Sequence, residues 1–323
     1  MSTSFIKQNR NKIDKVLTLV KEKKLRLPKV GEGYRGSIFL FKSGTYKYAV
    51  KRYYMTYKIL DCDKDIYEAY NKNDKDEYCK LLNKYLEWRE YFVHRYLSLH
   101  KNKDMDNIIA KNLGYYKKRP FLYIFMPLYN GIDGHRLLTT KFKSQKEMIE
   151  KIGHFIDRVN YIITVFKKNE VVHGDFHPGN LQGDNVKNCY RVIDFSRTFV
   201  KDFGCLKDKK EFEERLSKQY DLKFLLNWII NHRAEIHKVN PDVYDYFADV
   251  YLKGERGKIG GQTPTDAPEN WSIPYNKMSN IMLSSLTSKK FDAFIKSKST
   301  SGESKSKSTK SKSTKSKSTK SKS

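Results

Sequence analysis

One segment constrains the fold of this 323-residue chain more than any other. Val171-Val172 leads into His173-Gly174-Asp175-Phe176-His177-Pro178-Gly179-Asn180. A second apolar pair, Val192-Ile193, then precedes Asp194-Phe195-Ser196. Loop Asp and Asn residues ordinarily cap turns. Turn capping does not explain why two Asp and one Asn stand between short apolar strands in this order. Four residues separate Asp175 from Asn180, and Asp194 ends a strand of its own. The pattern offers two oxygen ligands for a divalent cation and a separate carboxylate for an incoming hydroxyl.

A second constraint lies upstream. Gly31-Glu32-Gly33-Tyr34-Arg35-Gly36-Ser37-Ile38 has the form GxGxxGxV, with Ile in the last place. Glycines permit a tight hairpin whose backbone N–H groups approach phosphates closely. A dinucleotide fold would need this motif after a strand and opening a helix. A β-rich pattern follows it instead, and no GxxxxGK[ST] occurs, so Rossmann and Walker folds are disfavoured. Ser37–Phe41 and Tyr46–Tyr53 predict two strands joined at Lys42-Ser43-Gly44. Lys51, in Tyr48-Ala49-Val50-Lys51, lies on the second strand, within reach of phosphate oxygens. In a chain this rich in Lys, a surface Lys is the competing reading.

Around these motifs the pattern predicts a charged helix over 5–24 with Ile13, Val16, Leu17 and Val20 on one face. Packing on its own domain is the main reading of that face, and membrane anchoring the minor one. A polar stretch from Asp61 to Lys80 reads as an insertion or a loose helix, and residues 81–99 as helix. Ile108–Tyr116 and Phe121–Met126 read as a strand pair. Beyond Gly131 the chain turns helical, with a broad apolar stripe over 146–168 and a further helix over Tyr220–Asn231. Short strands are expected near Asn180–Gln182 and Tyr190–Ile193, and weaker helices to about Phe294.

Composition sets the outer bounds. The longest apolar run, Phe121–Tyr129, is far shorter than the roughly 20 residues needed to span a bilayer, and no secretory leader is visible at the N-terminus. Cys62, Cys79, Cys189 and Cys205 form no CxxC pair, which argues against a zinc site or a disulfide framework and for a reducing compartment. The net charge is +27, of which the Ser/Thr/Lys repeat from Lys296 to Ser323 carries +9. The repeat holds no apolar residue to offset its ordering entropy, so a disordered tail is expected. A basic chain suits an acidic partner or nucleic acid, although a solvated Lys surface explains the charge equally well.

Taken together, these motifs resemble the protein-kinase-like superfamily over about residues 28–230. HGDFHPGN is similar to the catalytic-loop pattern H-x-D-x-x-x-x-N, AVK to V-A-I-K, and IDFS stands where I-D-F-G would. The resemblance implies an α+β, two-lobed fold with a small β-rich lobe and a larger helical one. Residues 1–26 would be a helical extension, 27–131 the nucleotide-binding lobe, 132–295 the catalytic lobe and 296–323 the tail. It implies ATP and Mg²⁺ as cofactors. Lys51 would pair the α/β-phosphates, Asp175 would orient or deprotonate the acceptor hydroxyl, and Asn180 and Asp194 would hold the metal. Gly31, Gly33, Gly36 and Ile38 would cover the nucleotide, and the backbone of Pro127 and Tyr129 would meet adenine. Glu90 is the helical partner expected for Lys51, because Val93 and Leu97 follow it at helical spacing; Glu87 and Glu68 are the alternatives. Asp221 resembles a buried helix Asp that braces the catalytic loop, with a surface Asp as the competing reading.

Some features depart from ordinary protein kinases. Gly174 replaces the Arg of HRD, which argues against control by activation-loop phosphate. Ser196 replaces the flexible Gly of DFG. HGDxHPGN is similar to aminoglycoside, choline and ABC1-type kinases. The literal Asp202-Phe203-Gly204 and Ala267-Pro268-Glu269 fall too far along the chain and read as coincidences. Asp175 lies only 46 positions after Tyr129, leaving little room for helices that would enclose a small-molecule pocket. The expected activity is therefore Ser/Thr phosphorylation of a protein substrate. A small-molecule acceptor is the alternative, and a non-catalytic basic binding protein the third reading. The expected location is cytoplasmic, or a virion or viral factory on a compositional likeness to kinases of large DNA viruses.

Overall fold

The computed structural model describes residues 4–21, 26–33, 36–43, 45–99, 103–201, 209–217, 219–253 and 283–308. These residues form an α+β structure with one five-stranded antiparallel sheet, two small ribbons and a larger helical portion.

The first helix, α1 (Ser4–Lys21), covers the sheet. Ile6, Ile13 and Leu17 recur at helical spacing and bury against Phe41, Val50, Tyr123 and Phe125. Asp14 ties the helix to the sheet edge by accepting from Tyr116 Oη at 3.0 Å and Lys118 Nζ at 2.6 Å. Its apolar face is thus spent inside the fold. Among the described residues no helix is long and apolar enough to cross a membrane.

The sheet comprises β1 (Lys29–Gly33), β2 (Gly36–Ser43), β3 (Tyr46–Tyr54), β4 (Gly114–Lys118) and β5 (Phe121–Pro127), in the order β1-β2-β3-β5-β4. The register sets Lys51 opposite Ile38 on one side and Ile124 on the other. Lys51 is therefore on the central strand. Strand alternation turns Lys51 and Tyr53 to the face opposite Val50 and α1. Tyr34 and Arg35 at the tip of the glycine hairpin, and Gly44, lie outside the described residues.

Between β3 and β4 run α2 (Tyr57–Leu60), α3 (Asp63–Asn71), α4 (Lys75–Lys84), α5 (Leu86–Leu99) and α6 (Lys103–Ile108). The stretch 61–80 is neither loose nor extraneous. Ile66, Ala69, Tyr78 and Leu82 bury one side of α3 and α4 against Leu60 and Trp88, and Asp74 caps α4 by accepting from Glu77 N. The helix expected over 81–99 breaks at Tyr85 (φ −121°).

Beyond β5 lie α7 (Gly134–Leu138), α8 (Gln145–Lys168), β6 (Val171–Val172), β7 (Leu181–Asp184), β8 (Cys189–Val192), β9 (Phe199–Val200), α9 (Lys209–Ser217), α10 (Tyr220–Asn231), α11 (Arg233–Val239), α12 (Pro241–Lys253) and α13 (Ser288–Ser308). The strand expected from Ile108 begins only at Gly114. Ile108 closes α6, and Ala110 N donates to Val192 O of β8 at 2.9 Å. Ile108, Ile109 and Ala110 are all buried, so their apolarity reflects packing on every side rather than one sheet face. Helix α8 follows its periodicity: Ile152, Phe155, Ile156, Val159, Ile162, Ile163 and Phe166 are buried. Ser144 caps it from Glu147 N at 3.1 Å, while Glu147 returns to Lys143 N at 2.8 Å.

Helix α13 runs across position 296, where the tail is expected to begin. Phe291 and Ile295 are buried, Lys298 Nζ reaches Asp242 at 3.1 Å and also Asp245, and Ser299 Oγ accepts from Gln145 at 3.1 Å. The helix carries on to Ser308. Its apolar anchors, Phe291 and Ile295, precede the repeat, which is why the repeat's composition did not announce it. Residues 309–323, Asp202-Phe203-Gly204, Cys205 and Ala267-Pro268-Glu269 lie outside the described residues. Cys62, Cys79 and Cys189 form no disulfide.

Candidate active site

Three distant segments meet at Lys51. Its Nζ lies 3.0 and 2.9 Å from the two carboxylate oxygens of Glu90 on α5, and 3.0 Å from Asp194 Oδ2 just past β8. Glu90 is thus the partner. Glu68 pairs with the exposed Lys72 instead, and Glu87 sits in the first turn of α5. Tyr53, two residues beyond Lys51 on the same strand face, donates its hydroxyl to Glu90 Oε2.

Burial alone would lower the Lys51 pKa, but Glu90 and Asp194 reverse this and raise it. Burial pushes Glu90 up to about 7 against the pull of Lys51. Asp194 is also desolvated, yet Lys51 and the Ser196 hydroxyl, 2.8 Å from Oδ1, hold it down at about 2. With all three groups ionised, the cluster has one net negative charge in a largely dry site, which suits a further cation. Asp194 adopts φ +61°, a left-handed conformation that costs a non-glycine residue about 1–3 kcal/mol. The Ser196 hydroxyl bond helps hold it there. The Ser that replaces the expected Gly therefore braces Asp194 directly.

The loop from His173 to Asn180 is fixed from three sides. Asp221 of α10 accepts from His173 N and Gly174 N, both at 2.9 Å, so it is a buried brace and not a surface residue. His173 Nδ1 accepts from Asp175 N at 3.3 Å, which leaves the proton on Nε2 to donate to Ile193 O at 3.1 Å. That imidazole links the Asp175 loop to the strand that ends at Asp194. Asn180 donates from Nδ2 to Asp175 O at 2.9 Å and accepts at its own carbonyl from Ile193 N at 3.0 Å. Its Oδ1 is the group left to act as a ligand.

Gly174 has φ +76°, and a Cβ there would strike the Arg197 carbonyl oxygen. This close approach is a backbone reason for glycine where the resemblance would have Arg. Gly174→Ala should destabilise the fold by roughly 2 kcal/mol or more, the sum of left-handed strain and overpacking. An unchanged denaturation midpoint would contradict it.

The Asp175 carboxylate is partly exposed, and Arg197 Nη1 approaches its Oδ1 at 3.9 Å. His177, two residues on, senses both Asp175 and Asp194, while burial lowers its pKa. Its Nδ1 accepts from Gly179 N, and its ring stacks on Trp228, which stacks in turn on His232.

The remaining predicted residues take up positions around this centre. Gly31 and Gly33 lie in β1, Gly36 opens β2, and Ile38 faces Lys51 across the strand pair. A Cβ on Gly36 would come within 2.6 Å of Arg52 O, so the sheet itself demands that glycine. Pro127 closes β5, and Leu128 N extends the ladder to Lys47 O at 3.2 Å. Tyr129 follows, its hydroxyl accepting from Lys111 N at 3.3 Å and its ring lying under Arg191.

Four residues at the site escaped the sequence reading: Tyr53, His94, Arg89 and Arg197. The i, i+2 spacing from Lys51 could have indicated Tyr53. The buried His94 on α5 stacks on Phe195 at 4.6 Å, reaches the Ala110 carbonyl through Nε2, and is pushed down to about 4 by burial. Arg89 Nη2 donates to Thr198 O at 3.0 Å. No local signal marks these last contacts. No known family model matches the chain, and no curated protein matches it.

Proposed function

We propose that this chain is an ATP- and Mg²⁺-dependent phosphotransferase with a two-lobed, protein-kinase-like arrangement, acting on Ser/Thr hydroxyls of proteins. The observation that carries the reading is the buried bridge from Lys51 to both Glu90 and Asp194. A cation fixed beside a glycine hairpin is equipped to gather phosphate oxygens, and the adjacent carboxylate to hold a metal. Asn180 and Asp194 would hold Mg²⁺, which neutralises charge on the transferring phosphoryl group when bound. Among the described residues no cluster of three or more His, Cys, Asp or Glu is arranged for a metal, and Mg²⁺ commonly needs only one or two protein ligands besides phosphate and water. Asp175 is partly exposed and clear of Lys51, as a group that receives an acceptor hydroxyl should be.

The helices between Tyr129 and Asp175 are α7 and α8, so no further inserted helix roofs the acceptor side there. An open groove favours a protein hydroxyl. The stack of His177, Trp228 and His232 favours the second reading, a small hydroxylated acceptor held against aromatic rings.

The test is transfer of γ-labelled phosphate to mixed protein substrates in one tube and to amino-alcohols, sugars and aminoglycosides in another. Label on protein supports the first reading, label on a small molecule alone the second, and label on neither counts against both. Asp194→Asn should weaken Mg·ATP binding by on the order of tenfold or more, the scale of one lost charge-assisted contact. Equal affinity by titration calorimetry would remove the metal assignment.

A further inference from the structure

We propose that Arg197 selects acceptors bearing a negative charge close to the hydroxyl that is phosphorylated; the inference rests on the phosphotransferase reading above. Arg197 follows Ser196 and is held by its backbone rather than by its side chain. Its carbonyl packs against the Cα of Gly174. Next to it, Thr198 Oγ1 donates to His173 O at 3.1 Å, Thr198 N donates to Phe195 O at 3.2 Å, and Arg89 clamps Thr198 O at 3.0 Å. The guanidinium thus projects from a fixed point between β8 and β9, against the loop that carries Asp175.

That guanidinium is 60% exposed and has no hydrogen bond among the described residues. Among the described residues its one ionic neighbour is Asp175, at 3.9 Å, the outer limit of an ion pair. An exposed pair of this kind contributes only about 0–1 kcal/mol, so most of the five N–H donors of Arg197 stay available. The surroundings add positive charge: the Arg215 guanidinium lies over the rings of Phe199 and Tyr220, and Tyr220 senses both Arg197 and Arg215. The nearby carboxylate of Asp221 is already engaged by two backbone N–H groups.

An acceptor hydroxyl at Asp175 would sit one hydrogen bond from that carboxylate. A carboxylate or phosphate on Arg197 would then fall within roughly 8–10 Å of the hydroxyl, about two or three residues along an extended peptide. The chemistry is shared by Asp, Glu and phosphoserine. A Lys-flanked serine would meet repulsion there, so the chain's own Ser-Thr-Lys-Ser-Lys repeat is the wrong kind of acceptor for this edge of the site.

The experiment uses the full chain and four single-serine peptides, flanked by Asp/Glu, by phosphoserine, by neutral residues, or by Lys as in the repeat. Binding is read by fluorescence anisotropy with Mg²⁺ and a non-hydrolysable ATP analogue, and turnover as kcat/KM. The protein should bind and phosphorylate the anionic peptides at least tenfold better than the Lys peptide. Arg197→Glu should collapse or reverse that ratio, and Arg197→Lys should retain part of it. The Asp/Glu and phosphoserine arms show which anion is preferred. An unaltered ratio in Arg197→Glu, or an equal loss on all four peptides, overturns the proposal; the latter would place Arg197 on the transferring phosphoryl group instead. Arg197-dependent binding of anionic peptides without turnover would sustain the selection and sink the activity. Absence of such binding sinks the selection whatever the activity.

Discussion

Asp175→Asn should lower phosphate transfer by about 10²–10⁴-fold, the usual contribution of a positioned acid–base group, while Mg·ATP binds nearly as tightly as before. The substitution keeps side-chain size. The contacts that shape the loop use the Asp175 backbone, which donates to His173 and accepts from Asn180. The ion pairs of Lys51 do not involve Asp175. Loss of the carboxylate therefore removes an interaction made with the acceptor hydroxyl and spares the nucleotide side. Kinetics should show kcat falling with little change in the ATP KM. Residual turnover near that of the unaltered protein would remove Asp175 from its role.

The second large effect concerns pH. Glu90 and His94 lie four residues apart on α5, and burial shifts both, in opposite directions. Glu90 is raised from 4.5 to about 7, so its stabilising contribution is full below its unfolded pKa and is lost as pH rises through about 7. His94 is lowered from 6.5 to about 4, so its contribution is full above its unfolded pKa and is lost as pH falls through about 4. Each is worth on the order of 3 kcal/mol at its limit, and between about pH 4.5 and 6.5 the two slopes oppose each other. Asp194, held at about 2, titrates below this window.

Glu90→Gln should therefore expose the histidine limb, with stability relative to the unaltered protein falling as the solution is acidified. His94→Asn should expose the glutamate limb, with relative stability falling as pH rises. Urea midpoints at several pH values, taken as differences from the unaltered protein, isolate each residue. Parallel curves for all three proteins would contradict the pairing.

Much of the site was legible because its chemistry is written in local order. Asp175, Asn180 and Asp194 were recognisable from apolar strands on either side, since strand ends place polar side chains at a mouth. Glu90 was chosen over Glu87 and Glu68 from helical spacing, and the buried face of α5 follows that spacing. What misled the reading was apolarity without direction. Ile108 to Ala110 looked like a strand because three apolar residues in a row do not reveal whether a sheet or a surrounding core buries them. The 61–80 stretch reads as an insertion or a loose helix because its charged residues outnumber the few apolar ones, such as Ile66, Ala69 and Tyr78, that pin α3 and α4.

The sequence by itself determined strands β2, β3 and β5, the stripe of α8 and the loop that carries Asp175. These follow from period and spacing within one element. Only the tertiary structure decided that Tyr53 bonds Glu90, that Asp221 holds two backbone N–H groups of the loop, and that the Gly174 backbone leaves no space for a side chain beside Arg197. Those facts depend on the approach of segments many residues apart. Such contacts arise when the whole core packs at once, and no local pattern in the chain encodes them.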